Sequence, residues 1–169
     1  MTGARSLAER LLILLARVAI GGLMIFTAYL KLKPADGLLA SGPQTFALNI
    51  KAYQILPDHL VMLAAFVIPW AELLAGLLLL LGLRTRAASL VLCLLLASFT
   101  AGVVSVIARG MNIECGCFGS FKLLCSGPIT WCKVGENALL LALAAWPLVR
   151  GPGLLAVDSL LDRPTQPRV

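Results

Sequence analysis

The sequence predicts an all-α protein: a four-helix transmembrane bundle with an interfacial helix between the first and second spans. Of its 169 residues, 60% are hydrophobic and only 13% are charged, whereas soluble domains carry about 25% charged residues. The apolar residues fall into four runs, each close to the roughly 20 residues that a helix needs to cross the hydrocarbon core. We therefore expect one integral domain over residues 1–169, embedded in a lipid bilayer.

The four predicted spans follow one another with short connections. The first has Arg17 as its one interruption and is longer than the apolar region of a cleaved secretory signal, about 7–15 residues, so we expect it to be retained. The fourth reaches full length only if it starts near Ile129. The predicted spans are residues 11–30, 60–83, 87–108 and 129–149.

The segment between the first two spans, residues 31–59, is too polar to cross a bilayer. Phe46, Ala47, Ile50 and Tyr53 fall on one helical face within it, which is typical of a helix lying on the membrane surface. The turn between the second and third spans is only a few residues long, so these spans should be antiparallel neighbours.

The basic residues indicate an orientation. The formal net charge of +6 comes from Lys and Arg that flank the apolar runs in ones and twos, which favours contact with lipid headgroups over nucleic acid. Four spans place both termini on one side, together with Arg84 and Arg86 of the tight turn. These arginines and the N-terminal Arg5 and Arg10 predict cytoplasmic termini, because short loops and the first helix dominate orientation. The loop of residues 109–132 would then be extracytoplasmic.

That loop holds the residues with the most distinctive chemistry. Four of the five cysteines lie in it: Cys115, Cys117, Cys125 and Cys132. A disulfide across Cys115-Gly-Cys117 would be strained and therefore oxidising. Cys125 and Cys132 form a second possible pair, with Cys132 in the first turns of the fourth helix, where the helix dipole and Lys133 would favour its thiolate.

Three interpretations of the cysteines stay open. Two thiol pairs suit a relay that passes electrons by thiol–disulfide exchange. Two inert disulfides would staple the loop, as expected in an oxidising compartment. A C-x-C pair also suits capture of soft cations, although structural zinc sites usually use C-x-x-C. Four cysteines allow three pairings, and the sequence does not choose among them.

Glu72 is the second candidate, because a carboxylate inside an apolar span is costly and should face the bundle interior with a partner. Arg17 in the first span is the expected partner. Glu72 then either relays protons or contacts a quinone, with Arg17 and Trp70 at the same site, or it simply pins two helices together. No resident metal is predicted.

Several landmarks together resemble one family. They are Gly22 with Lys31-Leu-Lys-Pro34, Tyr53-Gln-Ile-Leu-Pro57, Pro69-Trp-Ala-Glu72 with Gly76, Phe99, and Cys115-Gly-Cys-Phe-Gly119. Their order is similar to that in the methylamine-utilisation MauE family, within the DoxX-like group of four-helix membrane proteins, over roughly residues 10–149. The resemblance covers Cys115, Cys117 and Glu72, whereas Cys125 and Cys132 lie outside the motif.

The resemblance implies a bacterial inner-membrane protein that works with thioredoxin-like partners outside the membrane, in disulfide handling or electron transfer. The resulting hypothesis is a thiol–disulfide oxidoreductase. Cys115 and Cys117 would exchange with the partner, Cys125 and Cys132 would shuttle electrons, and a membrane quinone would accept them. The alternatives are a transporter or chaperone for Hg, Cu or Zn, and a non-catalytic scaffold for a thioredoxin-like partner.

Overall fold

Five helices make up the described part of the chain. The computed structural model describes residues 6–33, 42–111, 113, 129–151, 153 and 156–158. The helices are α1 (Leu7–Leu32), α2 (Pro43–Ala52), α3 (Asp58–Leu81), α4 (Thr85–Ala108) and α5 (Trp131–Arg150). All except α2 are long and apolar enough to cross a membrane. The predicted fold class is confirmed: this is a multi-pass membrane protein with a short helix between its first two spans.

A single stripe of α1 faces the bundle interior. The helix starts after Ser6, whose hydroxyl accepts a hydrogen bond from the Glu9 amide at 3.2 Å. Buried side chains then recur every three or four residues, the spacing of one helical face, at Ile13, Arg17, Ile20, Met24, Thr27 and Lys31. Leu15, Val18 and Phe26, on the outer side of the helix, are exposed, as expected for a face that meets lipid rather than protein.

Helices α1 and α3 approach most closely where two glycines face each other. A Cβ atom on Gly76 would lie 2.9 Å from the Gly21 carbonyl oxygen, and one on Gly21 would lie 3.0 Å from the Gly76 carbonyl oxygen. Small residues at such a point let helix backbones pack in near contact, which is a common way to associate helices in membranes. The pair therefore fixes the register between α1 and α3.

The turn from α3 to α4 is held by a residue from the C-terminal segment. Gly82 ends α3 in the left-handed conformation, with φ 68°, and no side chain at the start of α4 caps it. Instead the Asp158 carboxylate accepts hydrogen bonds from the amides of Arg84 at 2.7 Å and Thr85 at 2.8 Å. The Asp158 amide donates in turn to the Gly82 carbonyl at 3.0 Å.

These contacts determine the ionisation of Asp158. Burial alone would raise the pKa of this carboxyl group, but the hydrogen bonds from Thr85 and Arg84 and the charge of Arg17 together hold it below its ordinary value. The carboxylate therefore stays charged and serves as the cap that the α4 N-terminus lacks.

Helix α2 lies against the bundle by the predicted face. Phe46 is buried, whereas Ala47, Ile50 and Tyr53 are half-buried. The helix packs mainly on α3, and the Arg109 guanidinium at the end of α4 donates to the Tyr53 carbonyl oxygen. Because α2 is tied at this end to both α3 and α4, Phe46 is held over the interior of the bundle.

Candidate functional site

A buried ion pair lies at the centre of the candidate site. The Lys31 ammonium on α1 donates to both carboxylate oxygens of Glu72 on α3, at 2.6 Å and 2.8 Å. Both side chains are almost fully shielded, with exposed fractions of 1% and 3%. An unpaired charge inside a membrane span costs about 2.5–3.5 kcal/mol on insertion scales, so each group depends on the other for its charged state.

The two side chains meet because helix side chains lean toward their own N-terminus. Lys31 lies one residue before the end of α1, so its long side chain extends back into the bundle. Glu72 lies beyond the middle of antiparallel α3, so its carboxylate leans in the opposite direction, toward Lys31. The register set by the glycine contact brings the two ends together.

Two aromatic rings cover the Lys31 ammonium. Its nitrogen lies 4.7 Å from the ring centroid of Phe46 on α2 and 5.0 Å from that of Phe99 on α4. A cation over an aromatic face gains electrostatic stabilisation, about 2 kcal/mol or more where water is excluded. Four helices therefore contribute to this one site, and the interfacial helix is one of them.

The predicted pair between Arg17 and Glu72 is wrong. The Arg17 guanidinium donates instead to the carbonyl oxygens of Leu79 at 3.0 Å and Leu80 at 3.3 Å. The reason is distance along the helix: Arg17 lies 14 residues before Lys31, or about 21 Å at 1.5 Å per residue. At that level it meets carbonyl groups in the last turn of α3, where helical hydrogen bonding is incomplete. Arg17 therefore stabilises the end of α3.

Trp70 is not part of the ion-pair site. It lies two residues from Glu72 on α3, which is more than half a helical turn, and its side chain is exposed on the outer face. Its ring packs at a tilt on Phe66, with a centroid distance of 6.5 Å. The structure thus brings none of the three predicted cofactor residues, Glu72, Arg17 and Trp70, into mutual contact.

The same two phenylalanine side chains also line an apolar cavity. It has a volume of about 250 Å³, and α2, α3, α4 and the α2–α3 connection surround it. Its lining comprises Phe46, Asn49, Ile50, Tyr53, Ile55, Leu56, Ile68, Ser98, Phe99 and Gly102. Burial raises the pKa of Tyr53 to about 12, so its hydroxyl group keeps its proton. Phe46 and Phe99 are thus shared between the cavity and the ion pair.

The start of α5 presents one polar face to the interior. Lys133, Glu136 and Asn137 are all buried, and the Lys133 ammonium lies 3.0 Å from a Glu136 carboxylate oxygen. The two charges are one turn apart on the same helix, the spacing at which such pairs form. A second buried ion pair therefore lies on the helix that follows the cysteine loop.

Cys132 lies beside this pair but points outward. It is the second residue of α5 and is exposed, as expected for the first turn of the fourth span. Its sulfur is disulfide-bonded, and the bonded partner lies outside the described residues. The predicted sites at Cys115, Cys117 and Cys125 also lie outside them, so the cysteine pairing stays a prediction. Cys93, within α4, carries a free thiol.

The described residues contain no group of three or more His, Cys, Asp or Glu side chains that could hold a metal ion. The buried ion pairs among the described residues are Lys31–Glu72 and Lys133–Glu136.

Sequence reasoning missed Lys31 as the partner of Glu72. It assigned Lys31 to the membrane boundary, because the apolar run ends there. The signal was present in the spacing: Lys31 continues the stripe of Ile20, Met24 and Thr27 at intervals of three or four residues. A residue that continues an interior stripe is expected to face inward whatever its charge.

Comparison with known proteins gives a match to one family model. No curated protein and no solved structure matches the chain. The family model of methylamine utilisation protein MauE matches residues 9–150, a range that takes in all four spans, the ion pair and the cysteine loop. The chain therefore belongs to the MauE family.

Proposed function

We propose that this protein is a membrane thiol–disulfide redox protein, which passes electrons between an extracytoplasmic thioredoxin-like partner and a quinone in the bilayer. The observation that carries the proposal is the position of Cys132. It is disulfide-bonded at the exposed first turn of α5, one residue before a buried face whose Lys133–Glu136 pair lies inside the bundle. A disulfide thus adjoins a helix that leads into the membrane interior.

The proposed chemistry has two balanced steps. In the first, a partner dithiol attacks a disulfide of the cysteine loop, so that the partner is oxidised to a disulfide and the loop is reduced to two thiols. In the second, the two thiols form a sulfur–sulfur bond, and their two electrons and two protons reduce a quinone to a quinol. Cys115 and Cys117 take the role of exchange pair, because their spacing favours a strained, oxidising disulfide.

The cavity lined by Phe46 and Phe99 is the proposed quinone site. Its volume of about 250 Å³ and its mainly apolar lining suit a planar, apolar ring that enters from the bilayer. Asn49 and Tyr53 add polar groups to the lining, which could orient the quinone oxygens. The Lys31–Glu72 pair adjoins the same two rings, so a buried polar group lies close to the cavity wall.

The proposed setting is the bacterial inner membrane, with cytoplasmic termini. Arg84 and Arg86 flank the first residue of α4 at a turn of only a few residues, and basic residues in short loops favour the cytoplasmic side. The cysteine loop is then extracytoplasmic, where structural and catalytic disulfides persist and where a thioredoxin-like partner can reach it.

The first test is thiol trapping of the protein in native membranes across graded redox buffers. We expect the loop disulfides to be reduced at potentials above about −300 mV, because exchange-active disulfides are the more oxidising ones. Cys93→Ser is the matched control, since Cys93 is a free thiol within α4 and its loss should leave the titration unchanged. Four cysteines that stay paired below about −300 mV would instead identify inert staples.

The second test is quinone reduction by the purified protein in lipid nanodiscs, with dithiothreitol as the electron donor. We expect quinol formation that is lost in Cys132→Ser and kept in Cys93→Ser. A protein that reduces no quinone but binds Hg²⁺, Cu⁺ or Zn²⁺ in a 1:1 ratio through Cys115 and Cys117 is a soft-metal protein. A protein that supports partner maturation without any loop cysteine is a scaffold. Either outcome overturns the redox proposal.

A further inference from the structure

A much smaller cavity than the one lined by Phe46 and Phe99 adjoins Glu72. Met24, Thr27, Glu72, Leu95, Leu96, Phe99 and Asn137 line it. Its volume is about 10 Å³, which is the room that one water molecule needs. Its wall combines apolar side chains from α4 with three polar groups, one each from α1, α3 and α5.

One of these polar residues, Asn137, is buried with a hydrogen-bond donor that has no acceptor. Asn137 is 1% exposed, and its Nδ2 atom has no hydrogen-bond partner. An amide nitrogen left unsatisfied in the interior costs about 1–3 kcal/mol, and buried polar groups are nearly always satisfied by protein or by ordered water. Asn137 therefore points to a further polar ligand in this cavity.

The other two polar groups can complete the coordination of such a ligand. The Thr27 hydroxyl donates to the Met24 carbonyl at 3.0 Å, so its oxygen still has lone pairs that accept. The Glu72 oxygens each accept one hydrogen bond from Lys31, and each carboxylate oxygen has room for another. The cavity thus offers one donor and two acceptors.

We propose that Asn137, Thr27 and Glu72 hold one internal water molecule, which links α5 to the buried ion pair of α1 and α3. The water accepts a hydrogen bond from Asn137 Nδ2 and donates to Thr27 Oγ1 and to the Glu72 carboxylate. Three hydrogen bonds is the usual number for a buried water. This site does not depend on the proposed electron transfer.

The water gives Glu72 a polar neighbour that can exchange protons. The same molecule ties the start of α5 to the α1–α3 pair. Asn137 and Glu72 line the same cavity, but Asn137 Nδ2 makes no direct hydrogen bond to Glu72, so the water provides the link.

Radiolytic hydroxyl-radical footprinting of the protein in nanodiscs tests the site, because it oxidises side chains that contact bound water. Met24 is the reporter: it lines the cavity and is only 2% exposed, so radicals from bulk solvent do not reach it. The variant Asn137→Val removes the donor and puts an apolar surface in its place, which disfavours a bound water. We expect Met24 oxidation to fall about fivefold or more, because Met24 then has no bound water beside it from which radicals can form.

Asn49→Val is the matched control, since Asn49 lines the large cavity and not the small one, and it should leave Met24 oxidation unchanged. Thr27→Val is a second variant that removes one acceptor with little change in shape, and it serves if Asn137→Val does not fold. The proposal is overturned if Met24 is not oxidised in the native protein, or if oxidation is unchanged in both cavity variants. Footprinting needs no turnover, so either result is separate from failure of the redox proposal.

Discussion

The buried Lys31–Glu72 pair makes a sharp prediction about double substitution. Replacing one partner, in Lys31→Met or Glu72→Leu, leaves the other charge inside the bundle without its counterion. Breaking a buried pair in this way costs about 3–5 kcal/mol. For a chain of 150–250 residues each kcal/mol shifts the melting temperature by about 2–4 °C, so each single variant should melt about 6–20 °C lower.

The double variant should recover most of that loss. Exchange of both charges for well-packed apolar side chains is often neutral or stabilising by about 1–4 kcal/mol, so the double variant should melt near the native temperature. The melting temperature is read from tryptophan fluorescence in detergent, with the native protein and the three variants measured under the same conditions. Losses that simply add in the double variant would refute the conclusion that the two charges depend on each other.

An exposed pair on the same protein provides the control cycle. Lys51 and Asp58 lie 3.0 Å apart, but their side chains are 60% and 77% exposed. Exposed pairs contribute about 0–1 kcal/mol. The same cycle of substitutions at these positions should therefore show almost no coupling, so a large coupling there would mean that the assay does not report on burial.

Further predictions concern the helix contact and the C-terminal cap. Gly76→Ala should lower the melting temperature by several degrees, because its Cβ would lie 2.9 Å from the backbone oxygen of Gly21 and overpacking costs about 1–3 kcal/mol. Gly22→Ala is the control: its Cβ would have no atom within 4 Å, so the melting temperature should not fall. Asp158→Ala should lower stability at pH 7 by about 0.5–2 kcal/mol, as loss of a helix cap does. Because folding lowers the pKa of Asp158, its contribution is present above the unfolded pKa near 4 and is lost as pH falls further. The melting temperatures of the native protein and Asp158→Ala should therefore converge as pH falls below about 4, and a constant difference would contradict the cap.

The sequence was sufficient to predict the spans and the buried face of α2, because both depend on local properties. Span length and hydropathy are read within one segment, and so is the helical spacing that places Phe46 inward. The ends of the spans differ by a few residues: α1 starts at Leu7, before the predicted residue 11, because Ser6 caps it.

The partner of Glu72 could not be predicted in this way. Lys31 and Glu72 are 41 residues apart in the chain, and their contact depends on the register between α1 and α3. That register depends on the backbone contact of Gly21 and Gly76, and the spacing of residues within one helix does not predict a contact between two helices. The cap from Asp158 is a similar case, since it joins groups 74 residues apart. The roles of Cys115, Cys117 and Cys125 stay predictions, because these residues lie outside the described part of the chain.

The separation between Lys31 and Glu72 also has a consequence for biogenesis. The ribosome synthesises α1 first, and at about 5–20 residues per second the 41 residues that separate the pair take about 2–8 s. During this interval Lys31 has no counterion, so its flexible side chain extends outward to the headgroups. Only when α3 enters the bilayer can Lys31 turn inward to meet Glu72. The first helix therefore completes its insertion together with α3 rather than alone.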